Sequence, residues 1–292
     1  MTYKTLLVDE TDGVVFVTLN RPDVHNAFND ELISEAIDLF ESLARVIPSD
    51  PERSEGESRD PHRSEGDPST SLAMTPASAR AVVLRSSGPN FCAGADLNWM
   101  SRMVAYTRDD NIRDSSHLAK MFAVMNECPL PIIGRIQGAA IGGGVGLVSV
   151  CDIAVATRDA KFGLSEVKLG ILPAVISPYV IAKIGESHAR ALFMTGERFD
   201  AERALRIGLV HRVVDDADSL DAAVNDTLSQ LMSSGPEAVR ACKRLIAYVA
   251  THSLEDSIPY TIEAIAERRV SPEGQQGMQA FLTKQKAPWA KG

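Results

Sequence analysis

Several ingredients are missing from this sequence, and each absence narrows what the chain can be. No apolar run is long enough to cross a bilayer. The opening MTYKTLLVDE lacks a charged-then-apolar signal pattern, so a cytoplasmic protein with no membrane partner is expected. The four cysteines, Cys92, Cys128, Cys151 and Cys242, are scattered and form no CxxC pair. That pattern fits reduced thiols better than a disulfide framework or a zinc site. No histidine pair has metal-ligand spacing, and neither a GxxxxGK[ST] phosphate cradle nor a GxSxG nucleophile elbow occurs. Positive charge is in deficit: the net charge is −9 and the pI about 5.2, which argues against a broad nucleic-acid footprint. What remains is the 45% hydrophobic, 24% charged composition of a soluble globular protein, and 292 residues suffice for one large domain or two small ones.

The most informative stretch runs from Pro131 to Pro173. The apolar run 131–136 reads as a buried strand, followed by Gly138, by Gly142-Gly143-Gly144 and by a small-residue apolar segment to Val150. A second strand is expected over 152–156. A strand, a glycine turn and a helix start aim bare backbone N–H groups at something that is, or becomes, negative. Glu166, flanked by Val167, Leu169 and Ile171, is then a candidate general base. A plain alternative stands beside it, because Ser165-Glu166 also fits a carboxylate at a helix's first turn.

Elsewhere, 3–9 and 13–20 read as a hairpin turning at Asp12-Gly13. Asn29 or Asp30 can cap a helix over 31–46, where apolar residues recur at helical spacing. From 48 to 79 almost nothing is apolar, and DPERSEG (50–56) is nearly repeated as DPHRSEG (60–66), so a disordered insertion is expected. Residues 81–85 read as a buried strand, Phe91 to Leu97 as a small-residue turn beginning a short helix, and 109–127 as a helix. Beyond Pro173 the pattern predicts helices over 176–184, 187–194, 200–207, 218–233, 236–250, 254–269 and 273–285, interrupted by a strand over 209–213. Interleaved strands and helices suggest an α/β core, and the helical last third an appended layer or an oligomer interface.

Among the motifs, Gly144-Val-Gly146-Leu-Val-Ser149 is a near miss for a dinucleotide fingerprint, with Ser149 in place of the last glycine. Tight packing of helix on strand explains the glycines equally well. Two glycine turns, 91–97 and 141–146, could each lend one N–H to the same oxygen, and such a pair stabilises an enolate.

Five motifs in order, NRPDVHNAF (20–28), FCAGADL (91–97), GGGVGL (142–147), CDIAVA (151–156) with FGLSEVKLGILP (162–173), and TGERFDAERALRIGLVHRVV (195–214), resemble the crotonase superfamily, the enoyl-CoA hydratase/isomerase family. The resemblance covers the chain apart from 48–79. It implies an α/β fold, a ββα-repeat core over 1–215 with a helical trimerisation region over 216–292. It also implies a homotrimer or dimer of trimers, an acyl-CoA thioester as substrate, and no cofactor beyond the coenzyme A that the substrate carries. By motif position, the N–H groups of Ala95 and Gly143 form an oxyanion hole. Ala93, Asp96 and Leu97 line the acyl-CoA site, His25 and Ala27 lie near the CoA moiety, and Lys284 reaches the CoA phosphates. Glu166 falls on the second of two glutamates used by two-carboxylate hydratases, and Gly146 on the first. ADLNWM (95–100) and LSEVKLGILPAVISPYVIAKIG (164–185) look much like bacterial methylglutaconyl-CoA hydratases, whose substrates carry a second carboxylate. Arg102, Arg108 and Arg113 are candidates to meet it. The resemblance therefore implies a hydratase of a 3-methylglutaconyl-type thioester. The alternatives are an enoyl-CoA delta isomerase using one glutamate and a non-catalytic acyl-CoA or RNA-binding relative.

Overall fold

The structure is a computed structural model that describes residues 3–46 and 79–290. The insertion expected over 48–79 lies outside the described residues, save for the fully buried Ala79. The chain opens with strands β1 (Leu6–Thr11) and β2 (Val14–Leu19), an antiparallel pair joined at Asp12 and Gly13, both with positive φ. Two such residues make the tight turn whose twist matches that of the strands. Helix α1 (Asp30–Val46) follows, its start capped by the Asn29 side chain, which accepts from Leu32 N at 2.9 Å. Then come β3 (Ala81–Ser86), α2 (Leu97–Met103), α3 (Arg108–Asn126), β4 (Ile132–Ile136), β5 (Ala139–Ile141), α4 (Gly143–Val150), β6 (Ile153–Thr157) and β7 (Lys161–Gly163). The last part holds α5 (Ser177–Thr195), β8 (Arg198–Asp200), α6 (Ala201–Arg206), β9 (Arg212–Val214), α7 (Ala217–Met232), α8 (Pro236–Val249), α9 (Leu254–Val270) and α10 (Pro272–Leu282).

The main sheet has the order β1-β2-β3-β4-β6-β9 and is parallel except for β1. Its central strands read as unbroken apolar runs because both faces are covered. Val15, Val17, Val82, Leu84, Ile132 and Ile136 face the larger core, shared with α1, α3 and α4. Val14, Val83, Ile133 and Val155 face α7 through Leu220, Ala223, Val224 and Leu228. A smaller sheet, β5-β7-β8, stands apart and carries the turn into α4. The expected α/β core is present, and β1-β2-α1, β4-β5-α4 and β6-β7-α5 repeat the ββα plan.

Two readings of the sequence need correction, and one element was not read at all. The stretch 91–96 is not helical: it pairs through Cys92 with Ala140 and through Ala95 with Phe28, and the helix begins only at Leu97. The strand expected over 209–213 lies at Arg212–Val214, while Leu209 and Val210 are buried in the turn before it. The second sheet was not foreseen, since three-residue strands are too short to show a period. The two expected helices 176–184 and 187–194 form α5, broken where Gly185 takes a non-helical φ of 74°.

Three cysteines are buried, and burial pushes the Cys92 and Cys151 thiols up to about 12 and that of Cys128 to about 11; Cys242 is exposed. Among the described residues no helix is long and apolar enough to cross a membrane. Helix α9 exposes Leu254, Ile258, Ile262 and Ile265 along its length.

Candidate active site

The two glycine turns come together. Cys92 N donates to Ala139 O at 3.0 Å and Ile141 N to Cys92 O at 2.9 Å, which lays the 91–96 turn alongside the end of β5. Gly94 has a φ of +92°, and a Cβ there would lie 2.9 Å from the Ile141 carbonyl oxygen and 3.9 Å from Gly143 N. Only glycine allows both that backbone and that approach. Gly142 (φ +54°) then turns the chain so that Gly143 opens α4. A side chain at Gly143 would overlap the Phe28 ring edge.

Ala93 and Asp96 are held by a short ladder to the segment 25–28. Ala93 N donates to His25 O at 3.0 Å, Phe28 N to Gly94 O at 2.7 Å and Asp96 N to Phe28 O at 2.9 Å. Among the described residues, neither Ala95 N nor Gly143 N donates a hydrogen bond. Both residues are partly exposed, so these two donors are open to a ligand. Two preset donors on adjoining turns can hold one oxygen that gains negative charge.

Glu166 begins a 3-10 turn, Glu166–Leu169, so the first-turn reading of its backbone is correct. Its side chain nevertheless turns inward. A Cβ at Gly142 would lie 3.0 Å from Glu166 Oε1, and Oε2 is buried without a hydrogen-bond partner. Burial raises its pKa above the ordinary glutamate value, only partly opposed by its own backbone N–H. A carboxylate whose pKa burial has raised holds a proton more readily than an ordinary glutamate and can take one up and return it. The flanking Leu169 and Ile171 are exposed and do not make this environment.

Where the resemblance places a first glutamate, there is no room for one. A Cβ on Gly146 would overlap Ile176 Cγ2 and lie 2.9 Å from Phe122 Cε1 and Cζ. Phe122 in turn packs edge-on to Phe28, with centroids 6.1 Å apart, and tilted against Tyr179 at 5.9 Å. The space around Gly146 is thus walled by apolar groups.

The other expected site residues divide. Leu97 is 82% exposed at the start of α2, and His25 is exposed with its Nδ1 3.0 Å from Asn90 Nδ2. Ala27 is buried, and its carbonyl accepts from Arg21. Asp96 is 4% exposed, so its side chain faces inward rather than towards a ligand. Its Oδ1 caps α2, accepting from Asn98 N at 2.8 Å and Trp99 N at 3.4 Å, and its Oδ2 pairs with Arg21 Nη2 at 2.7 Å. Burial alone would raise its pKa, but these bonds outweigh burial and the pKa is lowered. Lys284 follows α10 on the surface, and no hydrogen bond or ion pair joins it to the site among the described residues. Of the three arginines, Arg102 pairs with Asp30 and Arg113 with Asp110, while Arg108 opens α3; all three are exposed. Arg21, Asn26, Phe28, Phe122 and Ile176 were not singled out from the sequence. The first three lie inside NRPDVHNAF, where their chemistry was legible but their targets were not.

The chain is similar in sequence and fold to enoyl-CoA hydratases and isomerases. A family profile described as enoyl-CoA hydratase/isomerase matches residues 71–292. A solved enoyl-CoA hydratase of Shewanella pealeana is 36% identical, with a TM-score of 0.83 over 98% of this chain and 96% of that one. Pseudomonas aeruginosa AtuE is 33% identical, with a TM-score of 0.86 over 99% of this chain and all of its own. The mitochondrial Δ(3,5)-Δ(2,4)-dienoyl-CoA isomerase of Mus musculus is 30% identical over 257 residues, 85% of this chain and 69% of that protein.

Proposed function

We propose that this chain, which belongs to the enoyl-CoA hydratase/isomerase family, adds water across the double bond of a carboxylated, branched enoyl-CoA of the 3-methylglutaconyl kind. The observation that carries the reading is Glu166, a half-buried carboxylate with an unpartnered Oε2 next to two turns that leave Ala95 and Gly143 N–H free.

The chemistry follows from those groups. The two N–H groups take the thioester oxygen and favour the enolate that forms when a nucleophile adds at Cβ. Ionised Glu166 takes a proton from water as its oxygen bonds to Cβ. Protonated Glu166 then returns that proton to Cα as the enolate collapses, so one carboxylate balances the reaction. His25, Ala27, Ala93 and Leu97 are the proposed acyl-CoA contacts, with Lys284 reaching the CoA phosphates in the assembled protein. The acyl preference is supported by LSEVKLGILPAVISPYV, in which Ile171 to Val180 replaces a glycine-rich segment common in the family. We further propose a cytoplasmic homotrimer or dimer of trimers that needs no cofactor besides the CoA of its substrate, a state supported by the apolar stripe on α9.

Gly146 favours a second reading. With its space filled by Ile176 and Phe122, the site offers one carboxylate, and a delta isomerase needs only one to carry a proton between carbons. Turnover of 3-methylglutaconyl-CoA, crotonyl-CoA and a 3-enoyl-CoA, followed by thioester absorbance and product mass, separates the two. Gain of one water on the methylglutaconyl substrate alone is the expected result. A shifted double bond without added water replaces the hydratase with the isomerase. No reaction on any of the three removes both.

A further inference from the structure

We propose that Arg21 is a positioning residue that sets the oxyanion donor Ala95 against Gly143. The inference rests on the oxyanion reading above and deepens it. Ala95 N–H has no bond of its own to fix its direction, so its aim is inherited from the residues on either side. Gly94 and Asp96 are tied to Phe28 by hydrogen bonds of 2.7 and 2.9 Å. The guanidinium of Arg21 spans both strands of that ladder. Its Nη1 donates to Ala27 O and its Nη2 to Asp96 Oδ2.

The other oxygen of Asp96 caps α2, so one guanidinium fixes the 25–28 segment, the 93–96 turn and the start of α2 together. The pair is largely out of water, with the Arg21 side chain 18% exposed and that of Asp96 5%. Arg21 is itself held: its N–H donates to Asn26 Oδ1 at 2.8 Å, while Asn26 Nδ2 donates to Ser87 O and Asn90 O at 2.8 and 2.9 Å. The latch is thereby referred back to the end of β3. On the far side the turn is already pressed against Ile141, so any slack in the latch changes the spacing of the two donors.

A guanidinium suits this place and an ammonium does not. Arg presents a rigid planar fork that reaches two acceptors at once, whereas Lys is a point charge able to keep the ion pair while losing the bridge. Arg21→Lys therefore separates charge from geometry. A donor displaced by a fraction of an ångström loses much of its worth, since removing one such donor costs on the order of 10²-fold in kcat and misplacements of about 1 Å cost a similar factor.

The test reads the donors directly. 3-Methylglutaconyl-CoA labelled with ¹³C at the thioester carbonyl is bound at saturation to Glu166→Gln protein, which is expected to hold it unreacted, and its carbonyl stretch is measured by infrared difference spectroscopy. The stretch is expected to fall on binding. Adding Arg21→Lys is expected to return it most of the way to the free value while the melting temperature barely changes. In the otherwise native protein, Arg21→Lys is expected to lower kcat by about 10-fold or more with KM changed by less than about 3-fold. A stretch that does not move with Arg21 intact overturns the oxyanion reading itself. A stretch that falls equally with Arg and Lys overturns the latch alone. If Arg21→Lys does not fold, Arg21→Gly is measured with and without millimolar guanidinium. Recovery of the shift supports the latch, and its failure to recover in folded protein overturns it.

Discussion

The two sides of the site are built from opposite materials. On one side, the 93–96 turn sits in a polar lattice in which Arg21, Asn26 and Asp96 each find partners. On the other, Gly146 lies under Phe122 and Ile176, with Tyr179 against Phe122, and the buried Oε2 of Glu166 goes without a partner. The difference teaches where each kind of work is done. Hydrogen bonds to satisfied partners fix positions at little net gain in stability. An unsatisfied buried carboxylate costs stability, and that cost appears as a readiness to hold a proton. The first side can be exact without being reactive, and the second reactive with few polar neighbours.

The sharpest way to break the comparison is to remove the reactive group. Glu166→Gln is expected to lower kcat by roughly 10³-fold while leaving the melting temperature unchanged or higher, since the unpaired charge is gone. Steady-state turnover beside a calorimetric melt checks both halves, and a variant with native turnover ends the role given to Glu166. Removing charge from the polar side should act the other way. Asp96→Asn strips a buried guanidinium of its counter-charge and is expected to cost about 3 kcal/mol in denaturant unfolding. A loss below about 1 kcal/mol would show that Arg21 finds water instead.

Gly146→Ala probes the apolar wall. Its added methyl meets Phe122 and Ile176 and is expected to destabilise by about 2 kcal/mol through overpacking, read in the same unfolding experiment. The smallest effect is the pH dependence. Burial raises the pKa of Glu166, so the folded chain holds this proton more tightly than the unfolded one. Its contribution to stability is full below the ordinary glutamate value and is lost as pH rises through the raised one. The melting temperature of Glu166→Gln relative to the native protein should therefore climb from acid towards neutral pH, and a flat difference contradicts the buried charge.

Legibility follows the same division. The buried strands, the Asp12-Gly13 turn and the Asn29 cap were readable because each depends on residues near in sequence. Glu166 and the two glycine turns stood out because a lone carboxylate among apolar neighbours and clustered glycines are each locally unusual, and the structure brings Glu166 up against Gly142. The 91–96 segment was misread as a helix start because small residues suit a turn, a bridge and a helix alike, and its pairing with Ala140 and Phe28 joins distant parts of the chain. Asp96 was assigned to the ligand because its motif position carries no sign of direction, and only the ion pair to Arg21, 75 residues away, shows that it faces inward. Nothing in the string around Gly146 announces Phe122 or Ile176 as its neighbours.

Gly146 also has a historical consequence. From a GGA or GGG glycine codon, glutamate is one nucleotide change away, so a second carboxylate there looks within easy mutational reach. The rings and methyl groups now standing over that position close the route, because the substituted chain must first clear Phe122 and Ile176. Phe122 in turn packs on Phe28 and Tyr179, so a glutamate there demands several coordinated replacements rather than one. While that packing stands, position 146 adds no second carboxylate beside Glu166.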